Sequence, residues 1–159
     1  MVNMKLKSLP KNPKIVLLAN DMVGLSVARY LIKKKENIVA LILHPKNTAR
    51  RGTEIKKVVK TNNVFYANQI RDEKYLKQIK ELNPDLAISA WFGYILKKDF
   101  LDIFPCGCIN FHNSYLPYNR GKYPHVWAIY EHSKYGVSLH YIDPEIDAGP
   151  IIARKIIKI

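Results

Sequence analysis

The sequence predicts an α/β fold, and three observations favour it. Short runs of consecutive apolar residues recur at 15–19, 38–43, 64–66 and 86–91, as expected for parallel strands buried on both faces. Segments with apolar residues at helical spacing separate these runs. After residue 107 apolar and polar residues alternate, which is typical of half-exposed strands. Together they predict a Rossmann-like, mostly parallel sheet with helices on both faces and antiparallel strands near the carboxyl-terminal edge.

The elements of the first half follow from spacing and from turn residues. Asn20-Asp21 marks the turn after the first strand, and a helix at 24–35 follows it. Asn83-Pro84 ends a later helix, because proline cannot continue one. The remaining predicted elements before residue 105 are helices at 54–60 and 72–82 and a short amphipathic helix at 95–104.

The second half of the chain has a different pattern. A strand at 107–111 leads into a polar loop, and Pro124 opens a helix at 124–132. Two alternating strands follow at 137–142 and 151–159, joined by the loop at 143–149. Alternation predicts that these two strands are half-exposed and antiparallel.

The length of 159 residues predicts a single domain that spans 1–159 and begins with a basic leader at 1–14. Cys106 and Cys108 are too close for an unstrained disulfide and too few for a structural zinc site, so we expect reduced thiols. No apolar run approaches the length of a membrane span, and no signal-peptide pattern is evident. The expected location is therefore cytoplasmic, with no membrane partner.

The net charge of +13 is concentrated at the start of the chain. Residues 1–62 hold 14 basic and 3 acidic side chains, a net charge of +11, whereas the rest of the chain has +2. Such an excess favours an anionic partner, such as a phosphate, a nucleotide, a nucleic acid or a membrane surface.

Asn110 and His112 are the first candidate catalytic residues. Two positions apart on a strand, they share one face, and an amide beside an imidazole suits oxyanion stabilisation and proton transfer. Taken alone, such a triplet is common by chance, and two polar residues that satisfy a loop backbone are the more ordinary interpretation. Asp147 changes the balance, because its loop joins two neighbouring predicted strands and can return the carboxylate to His112.

Three other patterns are weaker. The turn Asn20-Asp21 precedes a single glycine, Gly24, where a dinucleotide fingerprint has three, so we expect a phosphate or polar acceptor there, or an ordinary turn. His125 and His132 lack a carboxylate or thiol to complete a metal site, and no metal is expected. Ser114 lacks the GxSxG elbow of serine hydrolases.

With these residues in place, the chain resembles the formyltetrahydrofolate-dependent formyltransferase family over at least residues 85–159. The motifs that carry the resemblance are Ile109-Asn110-Phe111-His112-Asn113-Ser114-Tyr115-Leu116-Pro117, Arg120-Gly121, Pro124, Gly136-Val137-Ser138-Leu139-His140 and Asp147-Ala148-Gly149-Pro150-Ile151-Ile152. The resemblance implies that Asn110, His112 and Asp147 are catalytic and that 10-formyltetrahydrofolate is the formyl donor, without a metal.

The same resemblance implies binding residues. The pterin of the donor is expected against Trp91, Phe92, Gly93, Tyr94, Ile95 and Leu96 and against a loop that includes Asp143 and Ile146. A phosphate-bearing amine acceptor is expected at Asn20, Asp21, Tyr118, Asn119, Arg120 and Gly121.

The segment Tyr118-Asn119-Arg120-Gly121 is most similar to enzymes that N-formylate nucleotide-linked amino sugars. Formylation of glycinamide ribonucleotide or methionyl-tRNA is the alternative within the family. A catalytically silent, basic relative that binds nucleic acid is the alternative outside it. The chain stops inside the strand after Asp147 whereas relatives continue, so a truncated carboxyl terminus is expected, and a homodimer is a further expectation.

Overall fold

The computed structural model describes residues 8–158, so residues 1–7 of the predicted basic leader lie outside the described residues. The chain divides into two compact units, with the boundary between Cys108 and Ile109. The expectation of one catalytic domain over 1–159 stays a prediction.

The first unit contains a four-stranded parallel sheet, in the order β3-β2-β1-β4. The strands are β1 (Lys14–Ala19), β2 (Asn37–Leu43), β3 (Val64–Tyr66) and β4 (Leu86–Ala90). All five residues of β4 are buried, as are five of the six in β1, which is why these strands are continuously apolar in the sequence.

Helices connect these parallel strands. They are α1 (Asp21–Lys33), α2 (Gly52–Val59), the 3-10 helix at Ala67–Gln69, α3 (Glu73–Glu81) and α4 (Lys98–Leu101). The helix α1 contacts β1, β4 and α2, and Leu25, Ala28 and Leu31 form its buried stripe. None of the helices within residues 8–158 is long and apolar enough to span a membrane.

Two predicted helices differ from those observed by more than two residues at one or both ends. The first helix begins at Asp21 rather than at 24, because extended Asn20 already precedes the first helical turn. The helix expected at 95–104 is a single turn, Lys98–Leu101. The aromatic rings of Phe100 and Phe104 contact each other with centroids 5.1 Å apart, so their spacing reflects local packing rather than a long helix.

The second unit is mainly antiparallel. The strand β5 (Cys108–His112) pairs with β6 (Gly136–Tyr141), which pairs with β7 (Ile151–Ile156), and α5 (Pro124–Tyr130) lies between β5 and β6 in the chain. The parallel sheet of the first unit and the antiparallel strands of the second confirm the predicted fold class. Alternate burial is observed in β6, but every residue of β7 is exposed, so the expected half-burial of the last strand is wrong.

Candidate active site

Asn110 and His112 lie on β5 and face partners on β6. Asn110 is the register partner of His140, and His112 is the register partner of Ser138. Because register partners on antiparallel strands share a face, four polar side chains meet on one side of this strand pair. His112, Ser138 and His140 are all buried. A buried polar cluster of this kind needs internal partners, and the loops of the second unit supply several of them.

Asp147 is brought to this cluster, as the sequence predicts. Its Oδ2 atom lies 3.6 Å from His112 Nε2, and its Oδ1 atom lies 3.6 Å from His140 Nε2. The backbone N–H of Gly121 donates a hydrogen bond of 2.9 Å to Oδ2. Asp147 has a φ of 48°, a left-handed conformation that aspartate adopts more readily than most residues. The carboxylate therefore lies close to two imidazoles and accepts a hydrogen bond from one backbone amide.

Gly149 explains part of how the loop of Asp147 is fixed. A Cβ atom at this position would lie 2.0 Å from the carbonyl oxygen of Tyr141, a distance that no side chain tolerates. The backbone N–H of Tyr141 also donates a 2.9 Å hydrogen bond to the carbonyl of Pro150. The glycine thus lets the returning chain pass against β6 two residues after Asp147.

The surroundings of the His112 imidazole have opposing effects on its pKa. Its side chain is buried, and Nε2 has no hydrogen-bond partner. Burial lowers the pKa of His112 below its ordinary value of 6.5, and the imidazole of His140 lowers it further, whereas Asp147 and the backbone of Asn119 raise it. Burial is the largest of these causes, so the neutral imidazole is favoured near pH 7. An unpartnered Nε2 beside a carboxylate is available to a substrate atom.

His140 is a residue of the site that the sequence reasoning missed. Its Nδ1 atom donates to the carbonyl of Tyr141 at 2.8 Å, so in the neutral imidazole Nε2 is left as an acceptor. The Nδ2 atom of Asn110 lies 3.3 Å from that Nε2 and donates to it. This contact orients the Asn110 amide. The signal was present in the sequence, since the alternation of β6 places His140 on the same face as Ser138.

Residues 118–121 of the second unit, predicted to bind the acceptor, include both exposed side chains and groups that already form contacts within the protein. Tyr118 is 43% exposed, and Arg120 Nη1 lies 3.6 Å from Glu145 Oε1. The side chain of Asn119 is held by Ser133, with Nδ2 donating to Oγ at 3.0 Å. Gly121 contributes its N–H to Asp147. The segment therefore carries structural contacts as well as exposed groups.

Residues of the first unit predicted to bind the donor form an irregular segment after β4. Trp91 and Tyr94 are 41% and 38% exposed, whereas Phe92 is buried. The His44 ring contacts Phe92 and Tyr94 edge-on, and its Nε2 atom donates to the carbonyl of Phe92. This support from His44 was not predicted.

The same segment fits a flat heterocycle. Gly93 has a φ of 69°, and no atom lies within 4 Å of the Cβ that another residue would place there. Ile95 is exposed, Leu96 is buried, and the exposed aromatic faces beside an open backbone suit a pterin ring. In the second unit, Asp143 accepts from the N–H of Glu145 at 2.9 Å, and Ile146 is exposed.

Asn20 and Asp21 bind a neighbouring loop of their own unit. The Asn20 side chain accepts from the N–H of Arg50 at 2.8 Å, and Asp21 Oδ2 lies 3.3 Å from Arg50 Nη1. Asn20 is buried, whereas the Arg50 side chain is largely exposed. These contacts give the turn a structural role and leave a cation at its surface.

Metal-binding and thiol chemistry find no support in the part of the chain that the structure describes. No group of three or more His, Cys, Asp or Glu side chains is placed to hold a metal ion there. Cys106 and Cys108 are both buried, and burial strongly raises the pKa of Cys108, which suppresses the reactive thiolate.

Comparison with known proteins shows the family of this chain. The formyl transferase family model matches residues 14–159. The methionyl-tRNA formyltransferase of Thermodesulfovibrio yellowstonii is 37% identical over 137 residues, which cover 81% of this chain and 44% of that protein. The chain spans about half the length of the curated relatives it matches.

Solved structures share the fold. A phosphoribosylglycinamide formyltransferase from Anaplasma phagocytophilum superposes with a TM-score of 0.77 at 25% identity, covering 94% of this chain and 74% of that one. A sugar N-formyltransferase from Shewanella sp. gives a TM-score of 0.74 at 22% identity, covering 92% and 58%. With a family model that extends over nearly all the described residues, this chain belongs to the formyl transferase family.

Proposed function

We propose that this chain carries the catalytic machinery for transfer of a formyl group from 10-formyltetrahydrofolate to a primary amine. The observation that carries the proposal is the pair formed by buried His112 and partly buried Asp147. The Nε2 atom of His112 has no hydrogen-bond partner and lies 3.6 Å from the Asp147 carboxylate. Asn110 lies on the same face of β5. Family membership supports the reaction class.

The roles of the three residues follow from their chemistry. The donor supplies an electrophilic formyl carbon. As the amine attacks that carbon, negative charge develops on the formyl oxygen. The Asn110 N–H that is not bonded to His140 and the protonated form of the His112 imidazole, which Asp147 favours, donate hydrogen bonds to that oxygen. Asp147 accepts the proton that the amine loses, directly or through one water. The left-handed backbone and the Gly121 N–H hold that carboxylate in place.

The residues expected to hold the donor are compatible with its pterin ring. Trp91, Phe92, Gly93, Tyr94, Ile95 and Leu96 would supply aromatic and apolar contacts in the first unit. The exposed ring of Trp91 and the open backbone at Gly93 support this assignment.

For the acceptor, we propose the amino group of a nucleotide-linked amino sugar. The support is the resemblance of Tyr118-Asn119-Arg120-Gly121 to enzymes of that class, together with the exposed Tyr118 ring, which suits stacking on a sugar or base. The cation at Arg50, beside Asn20 and Asp21, suits a phosphate group. A phosphate-bearing acceptor also accounts for part of the positive charge in residues 1–62.

Methionyl-tRNA is the second candidate acceptor. It is favoured by the 37% identity to the Thermodesulfovibrio yellowstonii enzyme and by the net charge of +13, which suits a nucleic acid. The two candidates differ in their response to salt. Binding of tRNA weakens steeply as salt rises, because many phosphate contacts release counterions, whereas a nucleotide sugar offers only two phosphates.

The test is an acceptor panel with 10-formyltetrahydrofolate, in which release of tetrahydrofolate and the mass of the formylated product are both followed. The panel contains nucleotide-linked amino sugars, glycinamide ribonucleotide and methionyl-tRNA, at low and high salt. We expect turnover with an amino sugar, and a rate at least about a hundredfold lower in the Asp147→Asn variant. No formylated product from any acceptor would overturn the proposed reaction, and turnover confined to methionyl-tRNA at low salt would overturn the proposed acceptor.

A further inference from the structure

A row of three residues crosses the second unit at the level of His112. His112 on β5 is the register partner of Ser138 on β6, and Ser138 is the register partner of Arg154 on β7. Register partners share a face, so the three side chains project from the same side of the strands. Arg154 belongs to an exposed strand, yet its guanidinium reaches back toward the site.

Two of these side chains bind the backbone of one residue, Leu116. The Leu116 N–H donates to Ser138 Oγ at 3.0 Å, and Arg154 Nη1 donates to the Leu116 carbonyl at 2.6 Å. The hydroxyl of Ser138 in turn donates to the carbonyl of Ser114 at 2.7 Å. Arg154 also lies over the Tyr115 ring, 4.5 Å from its centroid. The loop that follows His112 is thus fastened at consecutive residues.

The far end of the same loop contacts the catalytic groups. The Gly121 N–H donates to Asp147 Oδ2, and the backbone of Asn119 acts on the His112 imidazole. When Leu116 is held in place, the loop keeps Gly121 close to Asp147 and Asn119 close to His112. When Leu116 is not held, both contacts can be lost together. The guanidinium bond is a charge-assisted one, stronger than an ordinary backbone hydrogen bond.

We propose that Arg154 is a positioning residue of the active site, which fixes the Leu116 carbonyl so that the loop after His112 holds the Gly121 N–H against Asp147. Arg154 touches no group proposed to react, so it acts through the loop. The consequence for catalysis rests on the proposed function, whereas the consequence for the loop does not.

The test compares Arg154→Ala, Arg154→Lys and the control Lys155→Ala. Lys155 is the next residue on β7 and pairs with Val137, so its side chain projects from the opposite face. Hydrogen exchange of the Leu116 and Gly121 amides is followed by NMR, with the Leu17 amide of β1 as a reference for overall stability. The rate of formyl transfer is measured in parallel as kcat and KM.

In Arg154→Ala we expect exchange at Leu116 and Gly121 to accelerate at least about tenfold, without a change at Leu17. We expect kcat to fall by about the same factor, with a smaller change in KM. Arg154→Lys should restore most of the slow exchange and most of kcat, since lysine keeps a charged donor. Lys155→Ala should behave as the original protein.

Unchanged exchange at Leu116 and Gly121 in Arg154→Ala would overturn the proposal. Equal acceleration at Leu17 would also overturn it, because the arginine would then support stability in general. If the original protein transfers no formyl group, the proposed function fails, but the exchange rates still decide the role of Arg154.

Discussion

The two units of the molecule bury different kinds of side chain. Nearly all the buried hydrophobic residues among the described part of the chain belong to the first unit, while the second unit contributes Leu116 and Ala128. Buried polar residues show the reverse distribution. Asn20 and Ser89 lie in the first unit, and the second contains His112, Ser114, Ser138 and His140.

We infer from this difference that the first unit supplies most of the stability, whereas the second unit holds the groups proposed to react. Burial of apolar area is the main favourable contribution to folding, so the parallel sheet of the first unit carries most of it. Buried polar groups cost free energy unless they are hydrogen-bonded. Within residues 8–158, the two buried side-chain atoms without hydrogen-bond partners are His112 Nε2 and Ser114 Oγ, and both lie in the second unit. A substrate atom hydrogen-bonded to His112 Nε2 would remove part of this cost.

The largest expected effect on stability is in the first unit. Leu17 is fully buried in β1, so Leu17→Ala should lower the free energy of unfolding by about 2–5 kcal/mol, through lost transfer energy and a cavity. Ile152→Ala on exposed β7 is the matched change in the second unit and should cost no more than about 0.5 kcal/mol. Urea denaturation followed by circular dichroism measures both. Equal losses of unfolding free energy in the two variants would contradict the inference that the first unit supplies most of the stability.

The largest expected effect on activity is in the second unit. His112→Ala and Asp147→Asn should each reduce the rate of formyl transfer at least about a hundredfold, equivalent to about 2.7 kcal/mol of transition-state stabilisation. His125→Ala is the control, because His125 is an exposed histidine on α5. The rate of tetrahydrofolate release is measured for each variant, and circular dichroism checks that each variant is folded. Near-normal turnover in either site variant would remove that residue from the catalytic group.

A smaller effect should appear in the pH dependence of stability. The pKa of His112 is lowered in the folded protein, chiefly by burial, so below its ordinary value of 6.5 the unfolded chain binds the additional proton. The resulting stability is fully present above that value and is lost as the pH falls toward the folded pKa. Urea midpoints between about pH 7.5 and about pH 5.5 should therefore decline less in His112→Gln than in the original protein. An identical decline in the two proteins would contradict burial as the cause.

Much of the fold could be predicted because the two strand types have different sequence patterns. The strands β1, β2 and β4 are continuous apolar runs, since parallel strands are covered on both faces. The alternation of Gly136–Tyr141 correctly marked a half-buried strand. The alternation of β7 did not, because both of its faces are exposed among the described residues, and a sequence pattern cannot report what lies against it.

The candidate site was predicted in part. Asn110, His112 and Asp147 follow from strand spacing, a connecting loop and the family resemblance, and the structure places His112 and Asp147 3.6 Å apart. His140 and Arg154 were missed as partners because their roles arise from register across β5, β6 and β7. Register depends on the pairing of distant segments, which no local pattern contains.

The sequence by itself determined the alternation of strands and helices, the change of pattern after residue 107 and the residue types available for chemistry. Those properties are local, because hydrophobic periodicity and turn residues act within a few positions of each other. Only the tertiary structure decided which polar side chains are buried, which way Asn110 is turned, and how the loop after His112 is fastened. Each of these depends on contacts between residues about 20 to 40 positions apart, which exist only once the chain has folded.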